Sequence, residues 1–494
     1  MNERSLKIEL HDLISENSKI TYFTSLHLII CILTGLIFGL SLALGKPLIA
    51  FAALIGLLAI SLVLKQPELG ILFIVLIDAS IIFEEAIPVI PLGIGSFHGT
   101  DIILFGMLFL IPINLAINPS FKIVKTPMNL AVIVFYLAVL LSAMNGLFFT
   151  KVHYKIIMRL MRIFSYYLMF FVITHFINTK QKITFIIKGL FMISVIVTLA
   201  MMLQAVLGSN VQIMPGRIET ARTFETEYEA TRILPPGQTL IQVMLITAFC
   251  LSITLDKNFF KSKYFYLIFI IGIANLLTFN RSTWVTQIMS IGLFTLLIPE
   301  QYKKKVIAWA VITLMIAGLF MAVIIPAGGQ PAKTIIAVSD RFTSLFTGEK
   351  IQESATLKWR RLENYAAIKK IKKDWFLGIG LGNAFTWKKK AVSYMHNFYL
   401  WIILNMGIVG FIAFAWYYLL FLFRGFKYWK KIKDDYLRAV YISFTLSGLG
   451  LIPGAMVNPQ FREWYSIIII TIMVGINESI LYYNSNKEYN KNNG

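Results

Sequence analysis

Leu130–Phe149 reads LAVIVFYLAVLLSAMNGLFF, twenty residues without a charge. As a helix this run rises about 30 Å, the thickness of a bilayer's hydrocarbon core, so it reads as a membrane span. Working outward from it, comparable runs lie near 25–45, 47–64, 70–83, 102–118, 156–177, 184–207, 236–255, 264–280, 282–298, 306–325, 397–422, 439–457 and 464–483, fourteen spans in all. Composition points the same way: the 494 residues are 57% hydrophobic and 14% charged, where an ordinary soluble domain is roughly a quarter charged. The expected fold is therefore an all-α polytopic membrane protein of about 14 transmembrane helices. Little chain is left for a large soluble domain.

The 46 Lys and Arg against 25 Asp and Glu give a net charge of +21, which in a soluble protein would suggest nucleic acid. Here the charge divides among loops, and no nucleic-acid partner is expected. With the N-terminus inside, 22 of the basic residues fall on inner segments, while the short outer turns hold few: Lys46, Lys151, Lys155, Arg281 and Arg462. The positive-inside rule then places both termini in the cytoplasm. Residues 1–21 are polar and the first apolar run is long enough to span, so no cleavable signal peptide is expected. Leu6, Leu10, Leu13 and Ile14 recur at helical spacing and suit a short helix on the inner surface. Cys31 and Cys250 both lie in apolar runs, which leaves no disulfide framework or zinc cluster.

Two outer segments are too long to be turns, 208–235 and 326–395. The second, between the eleventh and twelfth spans, holds 13 basic and five acidic residues, and long loops are exempt from the positive-inside count. Its charge is thus available for a purpose. Within it, 355–373 reads as an amphipathic helix with Trp359, Leu362, Tyr365 or Ala366, and Ile368 or Ile371 toward one side.

Few side chains could carry chemistry. Arg159 and Arg162 share a helix face in the sixth span and could meet an anion in an outward cavity, or simply snorkel to the outer headgroups. Arg281 occupies a tight outer turn, and Arg217, Arg222 and Arg232 lie in 208–235. A guanidinium fork suits phosphate oxygens, and several together could neutralise a diphosphate leaving group. For any one of them alone, a solvated loop charge is the competing account. His396 stands where the basic loop enters the twelfth span, where Asn397 could cap the helix. It could accept a proton from a hydroxyl, or be a hydrogen-bonded surface residue. Gly378-Ile379-Gly380-Leu381-Gly382-Asn383 lacks GxGxxG spacing and a preceding strand, so it reads as a flexible turn leading toward His396, with no nucleotide cofactor. Glu84, Glu85 and Asp101 flank an outer connection and could form an acid-base or metal site, although no partner cluster is visible.

Taken in order, four stretches resemble the O-antigen ligase and polymerase superfamily: Arg281-Ser282-Thr283-Trp284, Arg361-Leu362-Glu363-Asn364-Tyr365-Ala366-Ala367, Gly378–Phe385, and His396-Asn397-Phe398-Tyr399-Leu400 followed by Gly407-Ile408-Val409-Gly410. The resemblance covers roughly 210–425. It implies a GT-C-like helical fold in the bacterial cytoplasmic membrane and a glycan donor linked to undecaprenyl diphosphate. It further implies transfer on the outer leaflet without a metal or other cofactor. Carried over by position, it makes His396 the general base and Arg281 a diphosphate contact. Arg232 matches less closely, because Arg232-Ile233-Leu234-Pro235-Pro236-Gly237 replaces the usual Arg-x-x-Gly, and Arg222 is its rival; Arg361, Arg159 and Arg162 complete the candidate diphosphate set. Members often carry an acidic residue shortly before the first glycine, where this chain has Asn405-Met406-Gly407. On this reading 1–207 is an N-terminal block of seven spans, 208–425 the catalytic region with its extracytoplasmic loop 326–395, and 426–494 the C-terminal spans and cytoplasmic tail.

The implied activity is an inverting glycosyl transfer. A polymerase would use a second lipid-linked repeat unit as acceptor and could answer to a chain-length regulator; a ligase would use a lipid A core or a protein. The polymerase reading is preferred by a narrow margin. A lipid-linked oligosaccharide flippase is the competing class, but repeated halves and midplane charges would be expected of it, whereas the basic and His residues here gather on one outer face.

Overall fold

The computed structural model describes Gly35, Gly39, Val63 and residues 65–80, 90–91, 96–208, 211–214, 217–222, 227–255, 261–343, 355–383, 385–387, 390–392 and 395–493. The expected spans 25–45 and 47–64, apart from Gly35, Gly39 and Val63, lie outside these residues, as do the inner-surface helix around Leu6–Ile14 and the pair Glu84 and Glu85. Two compact units are present: Met1–Ile71 with Ile103–Ile123, and Leu72–Ile102 with Val124–Gly494. The smaller is represented chiefly by parts of two helices. The candidate site lies in the larger.

In chain order, α1 (Pro67–Asp78) and α2 (Gly99–Ile117) flank a short hairpin of β1 (Ile90–Pro91) and β2 (Ser96–Phe97). Next comes α3 (Pro127–Met144), extended by a π-helical turn at Asn145–Phe149. Then α4 (Tyr154–Ser165) passes through a tight turn into α5 (Met169–Phe176), and α6 (Lys180–Leu207) leads to a hairpin of β3 (Arg217–Arg222) and β4 (Glu227–Leu234). Six helices follow: α7 (Gln238–Leu255), α8 (Lys263–Leu277), α9 (Arg281–Leu297), α10 (Glu300–Ala327), α11 (Gly329–Thr343) and α12 (Ala355–Ile371). After β5 (Phe385–Trp387) and β6 (Lys390–Val392), the chain ends in α13 (Phe398–Tyr428), α14 (Asp435–Gly454) and α15 (Trp464–Asn493).

Among the described residues, nine helical segments are long and apolar enough to cross a membrane. The expected spans 70–83, 264–280 and 282–298 are helices of 12, 15 and 17 residues. The all-α polytopic reading holds. The 208–235 segment contains an antiparallel hairpin in which Glu219 stands directly across from Arg232.

Caps set the helix starts. Thr179 accepts from the Lys182 amide, Asp434 from Leu437, and Asn397 from Tyr399 and Leu400 at 3.0 and 3.2 Å, as its position before α13 suggested. These contacts also sort the bundle into two ends. At one, Lys180 pairs with Asp434 at 2.5 Å, Asn484 meets the Lys431 carbonyl, and Lys305 reaches the Ile253 carbonyl. At the other lie the end of α14, where the Ala455 carbonyl accepts from the Phe398 amide and the Ile452 carbonyl from Tyr399, and the start of α13.

The core beneath that second end is aromatic. Phe135, Tyr167, Phe398, Phe414, Tyr418 and Phe461 interlock edge to face, with centroids 5.1 Å apart for Phe135 and Tyr167, 4.9 Å for Phe398 and Phe414, and 4.7 Å for Tyr418 and Phe461. Tyr167 and Tyr418 bury their rings and spend their hydroxyls on the Phe461 and Gly448 carbonyls.

The glycine segment 378–382 is not a flexible turn. Helix α13 breaks at Gly407, whose φ of 66° and ψ of −170° strand backbone groups inside a buried helix. The glycine segment takes them up: Ile379 and Gly380 amides donate to the Leu404 and Asn405 carbonyls, and the Ile408 amide donates back to Trp375. The Leu381 amide donates to Ser142 in α3, whose hydroxyl donates to the Asn405 carbonyl. Contact this close requires glycine. A Cβ on Gly407 would lie 2.0 Å from the Phe376 carbonyl oxygen, and one on Gly380 2.6 Å from the Gly146 Cα.

Candidate active site

Thr278-Phe279-Asn280 turns the chain from α8 into α9, and Phe279 holds a positive φ of 49°, a strained conformation for an aromatic residue. Its ring is fully buried against Ala230 and Ala337, which fixes the turn. Two successive carbonyls then face two arginines: Thr278 accepts from Arg232 Nε at 3.1 Å and Phe279 from Arg341 Nη1 at 2.7 Å. Asn280 caps α9 through the Ser282 amide, so Arg281 is the first helical residue. Strand β4, helix α11 and the start of α9 thus bring three guanidinium groups to one turn. Burial, with the charges of Arg232 and Arg281, pushes the Arg341 guanidinium down to about 10, Glu219 opposing. Glu219 binds Arg232 Nη1 at 2.5 Å and offsets one of the three charges. The buried Nε of Arg281 has no hydrogen-bond partner among the described residues. Surplus positive charge, a buried donor without an acceptor and a helix N-terminus together suit a multiply charged anion.

His396 lies at the mouth of α13. Its Nδ1 is 2.9 Å from Oε2 of Glu363 on α12, and Glu363 is 5% exposed against 29% for the imidazole. With Nδ1–H donating to that carboxylate, the tautomer leaves the lone pair on Nε2. Helix α12 places Glu363 on the face that also buries Ala366 and Ala367. Of the residues expected toward one side, Trp359, Leu362, Tyr365 and Ile368 are exposed, Ile371 is half-buried, and Ala366 alone is buried.

Helix α14 brings the arginines and the histidine to one end of the bundle. Its Gly450 packs on Thr286 and Ser290 of α9, its Leu446 carbonyl accepts from Ser290, and its last turn receives the start of α13.

Other candidates stand apart. Arg162 is buried and paired with Asp101 at 3.8 Å, and Asp101 accepts from the His98 amide and lies 2.9 Å from Tyr166 Oη. That pairing already matches its charge. Arg159, on the same helix, is exposed. Arg361 is exposed two residues from Glu363, about 200° around the helix, and points away from His396. The backbone of Arg222 lies in β3 opposite Glu227; its side chain is outside the described residues.

Residues 266–415 match the family described as O-Antigen ligase. Over this segment the chain is similar to the O-antigen ligase and polymerase superfamily. The matched segment contains Arg281, Arg341, Glu363 and His396, while Arg232 and Glu219 lie before it. No curated protein matches the chain. Sequence reading missed Arg341 and Glu363 as site residues. Their signals were faint: Arg341 is four residues beyond the buried Ala337, and Glu363 shares its face with two alanines.

Proposed function

We propose that this O-antigen ligase-type membrane protein transfers a glycan from undecaprenyl diphosphate to an acceptor hydroxyl on the outer face of the cytoplasmic membrane, polymerising repeat units. The observation that carries the proposal is the His396–Glu363 pair at the same bundle end as the Arg232, Arg281 and Arg341 cluster.

His396 Nε2 takes the proton from the acceptor hydroxyl, whose oxygen forms a bond to the anomeric carbon. The carbon–oxygen bond to the lipid diphosphate breaks, and its electron pair leaves on the diphosphate, where the guanidinium groups meet the new charge. Attack opposite the leaving group inverts the anomeric centre. Glu363 is a positioning residue: it holds the imidazole in the base tautomer and stabilises the imidazolium that forms. The family's description also supports a ligase reading, in which the same steps serve a lipid A core or protein acceptor.

The test is single-turnover transfer from a lipid-linked donor, per folded molecule. His396→Ala is expected to lose roughly a hundredfold or more, the scale of a missing general base, with donor binding nearly unchanged. Near-native turnover would eliminate His396 as the base. Supplying lipid-linked repeats or lipid A core as acceptor separates polymerase from ligase.

A further inference from the structure

A cleft of about 990 Å³ opens between the π-helical turn at the end of α3 and the end of α12. Its walls are of two kinds. Lys369, Lys370 and Lys373 supply charge, while Phe148, Phe149 and Trp375 are among the apolar groups. Lys370 is paired with Asp374 at 3.0 Å, and Lys369 and Lys373 are exposed. The apolar rim is uncovered by protein: Phe149 is 82% exposed, Phe148 63% and Trp375 57%. Tyr365 and Ile368 of α12 are uncovered as well. Cations beside exposed aromatic and aliphatic side chains match a lipid phosphate with its chain attached, charge against charge and tail against rim.

Position gives that lipid a role. Helix α3 packs on α13, α13 on α14, and α14 on α9, so α13, which opens at His396, and α14 link the helix that ends at the cleft to the helix that begins at Arg281. Glu363 and Lys369 are six residues apart on α12, about 9 Å along its axis. The glycine segment clamps this wall in place: Asn145 in the π turn donates to the Gly378 carbonyl at 3.1 Å. We propose that the cleft anchors the phosphate of the lipid-linked acceptor, so that donor and acceptor approach His396 from two separate anion sites. This rests on the transferase reading above for the word acceptor, and on the cleft alone for the lipid phosphate.

The experiment uses the full-length protein in neutral-lipid nanodiscs, with farnesyl diphosphate as the binding probe and inorganic diphosphate as competitor. The wild type is expected to bind two equivalents. The double variant Lys369→Gln/Lys373→Gln, which leaves the Lys370–Asp374 pair intact, should lose one of them by roughly tenfold or more in affinity, as expected when charge-assisted contacts are removed. Arg281→Ala should lose the other. Inorganic diphosphate should displace probe from the arginines at lower concentration than from the cleft. If the lysine variant keeps both equivalents at native affinity, the anchor is wrong, whatever becomes of the transfer reaction. If inorganic diphosphate competes equally at both, the cleft is a bare anion site and the lipid assignment falls. A wild type binding one equivalent, lost in the lysine variant and kept in Arg281→Ala, would uphold the anchor while removing the donor site from the arginines.

Discussion

Three guanidinium groups around one strained turn repel one another, and the repulsion has a measurable sign. The unfolded chain holds Arg341 at its ordinary, higher value and the fold holds it near 10. Below about pH 10 both states carry the proton and the fold bears the whole cost of burying that charge beside Arg232 and Arg281; above it the folded guanidinium releases the proton and that unfavourable contribution fades. A bound diphosphate relieves the same repulsion while Arg341 stays charged. Inorganic diphosphate is therefore expected to raise the melting temperature at pH 8, with an increment that shrinks above about pH 10 and is largely lost in Arg341→Met. Equal increments in wild type and variant would remove Arg341 from the anion site. For Arg281, a Lys replacement should restore little transfer to an otherwise inactive Ala variant, because a point charge lacks the bidentate fork. Full activity of the Lys variant would show that fork geometry is unimportant there.

Glu363 makes the second residue-scale prediction. Glu363→Gln keeps a carbonyl acceptor for Nδ1–H but removes the negative charge that steadies the imidazolium. It should lower the chemical rate by roughly tenfold or more and leave donor and acceptor KM nearly unchanged. A purely structural carboxylate predicts instead a lower melting temperature with normal turnover in the surviving fraction. Both Glu363 and Arg341 were hard to see in sequence because their partners are distant: His396 is 33 residues from Glu363, and the Phe279 carbonyl 62 from Arg341. His396 and Arg281 were legible because each sits at a helix mouth beside its own capping asparagine.

At the scale of elements, the spans could be read because a bilayer demands long apolar runs, and every backbone group inside one must find a partner within the protein. Helix α13 shows what that reading omits. Its sequence carries no charge before Arg424, yet it breaks at Gly407, and the break survives because the glycine segment 378–382 and the residues just before it supply the missing hydrogen bonds. A glycine segment without side chains looks mobile in sequence; here the lack of side chains is what lets three backbones touch. Gly407→Ala combines a positive φ with a Cβ 2.0 Å from a carbonyl oxygen and should disrupt this junction, loosening α12 and with it the Glu363–His396 contact. Transfer and thermal stability should fall together. Gly272→Ala is the control: nothing lies within 4 Å of the added carbon on α8, and it should be neutral or slightly stabilising. A Gly407→Ala protein with native melting and turnover would show that the junction does not hold the site.

The whole molecule is constrained by which bundle end faces which compartment. Contacts in the larger unit gather the end of α3, the β3–β4 hairpin, the starts of α9 and α13 and the end of α14 on one side. The starts of α6, α10 and α14 and the end of α7 lie on the other. The second group carries Lys180, Lys182, Lys303, Lys304, Lys305, Lys430, Lys431 and Lys433 on short connections, the distribution expected of a cytoplasmic face. The first group holds His396 and the arginines, so a donor presented at the outer leaflet would reach them directly. A cysteine introduced at Thr343, exposed at the end of α11, should react with an impermeant thiol reagent on intact cells, and one at Ser485, exposed near the end of α15, only after permeabilisation. Helices alternate in direction, so the two labels are linked: an inverted molecule would exchange them. Labelling at Ser485 with protection at Thr343 would put the histidine and arginines on the cytoplasmic side, where no outer-leaflet transfer could use them.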